Sequence, residues 1–253
     1  MTMLKNIVKI GLKIPILKDL IINLNYKNEI RLIQEKPEHV SQNAFPSIIH
    51  FTFNKSASQF VKKLLFQLAY DNSMTRIALN DFAFYSKFPY LDHLSEIEMA
   101  KYSCVFKSKG FIYSAFGGFV SGIDYLEKYN LILTTRDPRD MLVSGYYSIA
   151  YSHERPPVGS SKRQVFDDKR TIALKMDIND YVLQEAEHVF GKFSLYRDQL
   201  IKNSGLHLTM LKYEEMISDF TNWLDDLEKA CGLRFKPNTR NQIISEQLAK
   251  KSL

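Results

Sequence analysis

The chain predicts an α/β fold of three layers, with helices on both faces of a central parallel sheet. Short apolar, β-rich runs alternate along it with longer segments of helical periodicity. Two strand-to-helix junctions are polar and suited to an anion, at Asn54 to Phe60 and at Arg136 to Ser144. The length, 253 residues, is enough to bury one substantial core. With 45% hydrophobic and 25% charged residues, and with ten Gly and eight Pro, the composition is that of a globular chain rather than a low-complexity one.

The net charge of +6 suits an anionic ligand, a membrane surface or nucleic acid. Nucleic acid is set aside, because no zinc-finger spacing, basic tail or recognisable nucleic-acid motif is present. Two cysteines, Cys104 and Cys231, form neither a disulfide framework nor a metal site, so a reducing, cytoplasmic setting is the expectation.

Residues 1–44 read as a basic, amphipathic helical lead-in, and residues 45–253 as one α/β domain. Ile7 to Leu24 is rich in Ile and Leu but carries Lys9, Lys13, Lys18 and Asp19, too many charges to span a bilayer. Lys5, Lys9 and Lys13 recur every four residues, so residues 5–24 fit a helix lying peripherally on a membrane. The competing expectation, packing on the domain or on a second subunit of a homodimer, is preferred because apolar helix faces are commonly core.

Phe45 to Phe53 reads as a strand, followed by the polar loop Asn54 to Gln59 and a helix marked by Phe60, Val61, Leu64, Leu65 and Leu68. Residues 71–103 are irregular and aromatic. A short strand is expected at Cys104 to Phe106, then a Gly-containing loop from Ser108 to Gly122. Leu131 to Thr135 is a buried-strand run that stops at Arg136, where Asp137 can cap a helix and Pro138 fits its first turn. Residues 151–172, with Pro156, Pro157 and Gly159, read as a long polar loop, a lid or mobile segment. A helix follows over 177–202, a strand at Leu208 to Leu211, a helix stopped by Gly232, and a last helix from Pro237 to Lys250.

Arg136 falls at a strand's carboxyl end, where open α/β sheets bind ligands. Ser144 follows eight residues later, across the turn and about two helical turns, so guanidinium and hydroxyl can reach one phosphate. The alternative is an ordinary ion pair from Arg136 to Asp140. In the first loop, backbone N–H groups at a helix start would face an anion, with Lys55 adding charge and Ser56 and Ser58 adding hydroxyls. The Walker A order of glycines is absent, which argues against an NTPase; a Ser-rich helix cap beside a surface lysine is the plain alternative.

Taken together, these segments resemble the sulfotransferases that use 3′-phosphoadenosine 5′-phosphosulfate (PAPS). Phe53-Asn54-Lys55-Ser56-Ala57-Ser58-Gln59-Phe60 is similar to the family's Pro-Lys-Ser-Gly-Thr loop, with Asn54 for Pro, Ala57 for Gly and Phe60 where Trp is often found. Arg136-Asp137-Pro138-Arg139-Asp140 with Ser144 matches a second motif, and Lys212-Tyr213-Glu214-Glu215-Met216 resembles a third. The resemblance implies a P-loop-like sulfotransferase fold and sulfuryl transfer from PAPS to a hydroxyl of a small molecule, saccharide or lipid, leaving PAP, with no metal. It assigns Lys55, Ser56, Ala57, Ser58, Gln59 and Phe60 to the phosphosulfate and adenine, and Arg136 and Ser144 to the 3′-phosphate. Lys55 would also stabilise the leaving phosphate. The family's acceptor-side Lys-Thr-His is replaced by Lys107-Ser108-Lys109, so Lys109 and His153 stand as candidate bases. His50 and His93 are more ordinary as structural residues. The family's carboxyl-terminal clamp is absent, with Lys250 and Lys251 as its only conceivable substitutes. A kinase-like transferase and an inactive PAP-binding or membrane-docking module are the competing functions.

Overall fold

The computed structural model of the protein describes residues 15–34 and 43–251. Lys5, Lys9 and Lys13 lie outside them, as do the side chains of Lys250 and Lys251. Five strands, β1 (Ile48–Thr52), β2 (Thr75–Ile77), β3 (Phe111–Phe116), β4 (Asn130–Thr135) and β5 (His207–Lys212), form one sheet in the order β2-β3-β1-β4-β5. Every pairing is parallel. The chain leaves β1 toward β2 and leaves β4 toward β5, so the strand order reverses between β1 and β4. Crevices at such switch points are where α/β sheets take ligands.

The helices are α1 (Pro15–Asn25), α2 (Lys27–Ile33), α3 (Ser58–Asp71), α4 (Leu79–Tyr85), α5 (Pro138–Tyr147), α6 (Ser161–Lys175), α7 (Ile178–Tyr196), α8 (Tyr213–Ser218), α9 (Phe220–Cys231) and α10 (Pro237–Lys251), with a single turn at Glu96–Met99 between α4 and α5. Alternating strand residues feed two cores, as a pleat with a two-residue period requires. Ile48, Ile112 and Ile132 meet Val61, Leu65 and Leu68 of α3 and Trp223, Leu224 and Leu227 of α9. Ile49, Phe51, Tyr113, Leu131 and Leu133 meet Leu32 of α2, Met141 of α5 and Tyr196 of α7. Burial on both faces leaves β1 no solvent-facing position: all five of its residues are buried, the polar His50 and Thr52 included. The stop at Gly232 is observed, with φ of 65° at the left-handed cap of α9.

Three segments depart from the sequence reading. Cys104 to Phe106 is not a strand: Ala100–Val105 forms a 3-10 turn, and the strand lies at Phe111–Phe116, inside the expected loop. The glycines there bound the strand, with Gly110 at φ 83° on entry and Gly117 and Gly118 on exit, rather than marking a loop throughout. Residues 71–103 contain β2 and α4, where a three-residue edge strand is too short to show a period. Most of the expected lid at 151–172 is helix: a π turn covers Ser148–Ser152 and α6 begins at Ser161, leaving 153–160 as loop. Ala173 is the one buried residue of α6, so that helix has no apolar stripe to read. Lys162 fastens it by donating to the carbonyls of Ala83 and, at 3.3 and 3.0 Å, Ser86 and Phe88.

The described part of the lead-in packs on the sheet. Leu32 joins the core, the Glu29 carboxylate accepts the Ala78 N–H at 2.7 Å, and the Tyr26 ring lies 5.7 Å from that of Phe82. Leu20 and Leu24 of α1 remain exposed. Among the described residues, no helix is long and apolar enough to cross a membrane, and no group of His, Cys, Asp or Glu could hold a metal ion.

His50, in the middle of β1, is fully buried between Ser114 Oγ at 2.7 Å and Thr134 Oγ1 at 3.1 Å. Burial, reinforced by Lys62, lowers its pKa from 6.5 to about 3. Once the pH drops below 6.5 the unfolded chain takes up a proton that the native protein refuses, so stability declines from there down to about 3. Between pH 7 and pH 5 this effect removes about 2 kcal/mol. Urea unfolding at the two pH values measures it, and the His50 ring signal in NMR should stay neutral throughout; a ring titrating near its ordinary pKa would contradict the assignment.

Candidate functional site

The first of the two polar loops hangs from the end of β1. Lys55 (φ 71°) and Ala57 (φ 60°) are both left-handed, which folds the chain back so that α3 can start at Ser58. No side chain caps that helix, and among the described residues the N–H groups of Ala57, Ser58 and Gln59 meet no acceptor. Uncapped N–H groups at the start of a helix of 14 residues make a positive cradle. Burial and the neighbouring Arg136 push the Lys55 ammonium pKa down.

Ser56 departs from expectation. Its hydroxyl is buried, donating to the Phe53 carbonyl at 2.6 Å and lying 2.8 Å from Thr52 Oγ1, so it is turned into the sheet and away from the loop mouth. Thr134 Oγ1 donates to Thr52 Oγ1 at 2.7 Å, which continues the chain of polar contacts to His50 and Ser114. These hydroxyls tie the loop's base to β1, β3 and β4.

The second polar loop starts where β4 ends. Asp137 accepts the Arg139 N–H at 2.9 Å and Pro138 opens α5, as the sequence indicates. The Arg136 side chain, 19% exposed, donates from Nη1 to the Lys55 carbonyl at 3.0 Å. Its contact with Asp140 is longer, at 3.4 Å, and that carboxylate is 60% exposed, so the ion-pair alternative describes a weak contact. The guanidinium lies 4.2 Å from the Tyr213 ring centroid, and Glu214 accepts the Asp137 N–H at 2.8 Å. The third motif therefore braces the second. Arg136 Nε is enclosed without a partner, and the half-buried Ser144 hydroxyl on α5 has none among the described residues. A cavity of about 400 Å³ opens beside Arg136, walled by Phe53, Phe193, Tyr196, Met210 and Lys212.

The expected acceptor-side residues divide. Lys109 lies before β3 and bridges to Pro46 before β1, at the amino edge of a parallel sheet and opposite the Lys55 loop. It is not part of the site, because the residues after β3, not before it, face the loop; Gly117 and Gly118 stand there. His153 does come near: burial, then Lys55, then Arg170 lower its pKa, while its ring packs 5.5 Å from Phe166. Phe60 is half-buried with its ring 5.9 Å from that of Phe220. Asp92 and Lys192 adjoin the Gly117–Gly118 turn through hydrogen bonds and carry no mark in the sequence, since each is a single charge in a segment without pattern.

The sulfotransferase domain family matches residues 45–252. The chain belongs to this family. Among solved structures, mouse sulfotransferase SULT7A1 complexed with PAP is similar at 14% identity, covering 86% of this chain and 68% of that one, with a TM-score of 0.46. No curated protein sequence gives a significant match.

Where the family's loop pattern has glycine, this sulfotransferase domain places alanine at a left-handed position, Ala57 at φ 60°. A β-carbon there crowds the following carbonyl and costs on the order of 1 kcal/mol. Ala57→Gly should therefore raise stability by about 1 kcal/mol in urea unfolding. A loss of stability would show that the loop does not hold this conformation.

Proposed function

We propose that this sulfotransferase domain moves a sulfuryl group from PAPS to a hydroxyl acceptor and releases PAP. The observation that carries the reading is a pair of anion sites joined at the β1–β4 switch point: unpaired loop N–H groups beside Lys55, and an enclosed, unpaired Nε on Arg136. Both sets are donors lacking acceptors, which suits a ligand with two separated phosphate groups. The N–H groups of Ala57, Ser58 and Gln59, with Lys55, would hold the 5′-phosphosulfate. Arg136 and Ser144 would hold the 3′-phosphate, and Phe60 would offer a face to the adenine.

PAPS supplies the activated sulfuryl group. The protein's part is position and charge. Lys55 sets an ammonium where negative charge grows on the leaving phosphate oxygen, in a half-buried setting where that charge acts strongly. Arg136 steadies Lys55 through its carbonyl, so donor register and cation position are coupled. His153 would face the acceptor from the Lys55 side, and burial, then the Lys55 charge, lower its pKa.

Calorimetric titration tests the reading. 3′,5′-Adenosine bisphosphate should bind at least ~10-fold more tightly than 5′-AMP, as expected for a charged contact to the extra phosphate. Equal affinities would remove Arg136 and Ser144 from their role. Lys55→Ala should fold normally and lose transfer by about 100-fold or more. Tight PAP binding by a wild-type protein that transfers nothing would mark a binding module instead.

A further inference from the structure

With Lys109 at the far edge of the sheet, the turn after β3 offers a different group. Asp92 is half-buried beside it and held on one carboxylate oxygen only: Oδ2 accepts the Gly118 N–H at 2.9 Å and the Asn80 Nδ2 at 3.1 Å. Its other oxygen, Oδ1, is enclosed and has no partner, and neither has Asn80 Oδ1 on the side chain joined to it. Two unpaired acceptors thus belong to two side chains bonded to each other, and leaving such buried groups unmatched is costly. Only a donor satisfies them, such as a hydroxyl, a water or an ammonium.

The place is beside the donor loop. A β-carbon added at Gly117 would lie 3.1 Å from Asn54 Oδ1 and 3.6 Å from Asp92 Oδ2, so the residue preceding Lys55 and the Asp92 carboxylate approach the same point. At Gly118 it would lie 3.2 Å from the Asp92 carbonyl oxygen, so at either position a side chain is tight and displaces its neighbour by a few tenths of an ångström. Lys192 of α7 donates to the Gly117 carbonyl at 3.2 Å and fixes the turn from the other side. An aspartate carboxyl turns readily about its last torsion, which brings a free oxygen toward an incoming group.

We propose that Asp92 is the catalytic residue that takes the proton from the acceptor hydroxyl, in the place left open by the absent histidine. This rests on the PAPS reading above. The hydroxyl proton passes to Asp92 Oδ1, and the hydroxyl oxygen forms its bond to sulfur. The bond from sulfur to the phosphate oxygen breaks with its electron pair going to that oxygen beside Lys55. Asp92 then returns the proton to solvent. Asn80 and Gly118 anchor the carboxylate through Oδ2 at this turn in the resting protein, and Asn80 Oδ1 offers a second acceptor to a polyhydroxyl substrate.

The test compares wild type with Asp92→Asn in three measurements: thermal unfolding without ligand, PAP affinity by calorimetry, and release of PAP from PAPS with water and with glycerol, whose hydroxyls are un-ionised, as acceptors. The substituted side chain is nearly isosteric, and its amide adds a donor beside an unpaired acceptor, so the variant should melt no lower than wild type. PAP affinity should stay within about twofold, while kcat for PAP release falls at least ~100-fold with KM for PAPS unchanged. Wild-type kcat in the variant would overturn the assignment. So would a joint loss of stability and PAP binding, which would make Asp92 structural. A wild-type protein that binds PAP but releases none from PAPS would overturn it as well, since a poised base has water to act on. Failure of the wild type to bind PAP would instead overturn the donor reading, and this proposal with it.

Discussion

The Arg136 guanidinium donates to the Lys55 carbonyl at 3.0 Å, and that bond joins the two loops that leave the central strands. β1 and β4 are neighbours in the sheet, paired from Ile48 with Asn130 to Thr52 with Thr134, so their loops emerge side by side. Without a bridge, two cationic loops so placed would repel each other; burial first, and then Arg136, already lower the pKa of Lys55. The carbonyl between them, the Tyr213 ring under the guanidinium and the longer Asp140 contact hold both charges at the switch point. The arrangement leaves Arg136 Nε and the N–H groups at the start of α3 without an acceptor among the described residues.

Holding such a site open requires a stiff foundation. The contacts from Ser114 through His50, Thr134 and Thr52 to Ser56 cross three strands and end at the base of the Lys55 loop. All five of these residues are buried, so every bond is made in a low-dielectric setting where leaving one unmade is costly. The loop itself carries two left-handed residues without glycine, Lys55 and Ala57. Strain of that kind persists where the surroundings fix the backbone, and it is common at sites that bind ligands.

The layers and most helices are legible in the sequence because both faces of the sheet are covered, giving β4 an apolar run from Leu131 to Leu133 and β1 the β-rich cluster Ile48, Ile49 and Phe51. The two polar loops are legible for a related reason: a strand end, a turn and a helix start lie within a few residues of one another in the chain. What lies beyond reading is the far half of the sheet. β2 has three residues, and the glycines around β3 mimic a loop, so the sequence puts the strand ahead of its true position and Lys109 at the wrong edge. The polar helix α6 gives no stripe. Asp92 cannot be found at all from sequence, since its meaning depends on Gly118 and Asn80, 26 and 12 residues away. Ser56 shows the opposite error, a residue correctly placed in the loop whose hydroxyl serves the sheet.

Whether Arg136 both ties the loops and reads a phosphate is tested most directly by a crystal structure of the protein with PAP bound. The 3′-phosphate should lie within hydrogen-bond distance of the Arg136 guanidinium and of Ser144 Oγ, the 5′-phosphate should sit on the N–H groups at the start of α3, and the Lys55 carbonyl should still accept from Arg136. A 3′-phosphate lodged elsewhere, with Arg136 bonded only to Lys55 and Asp140, would contradict that dual role.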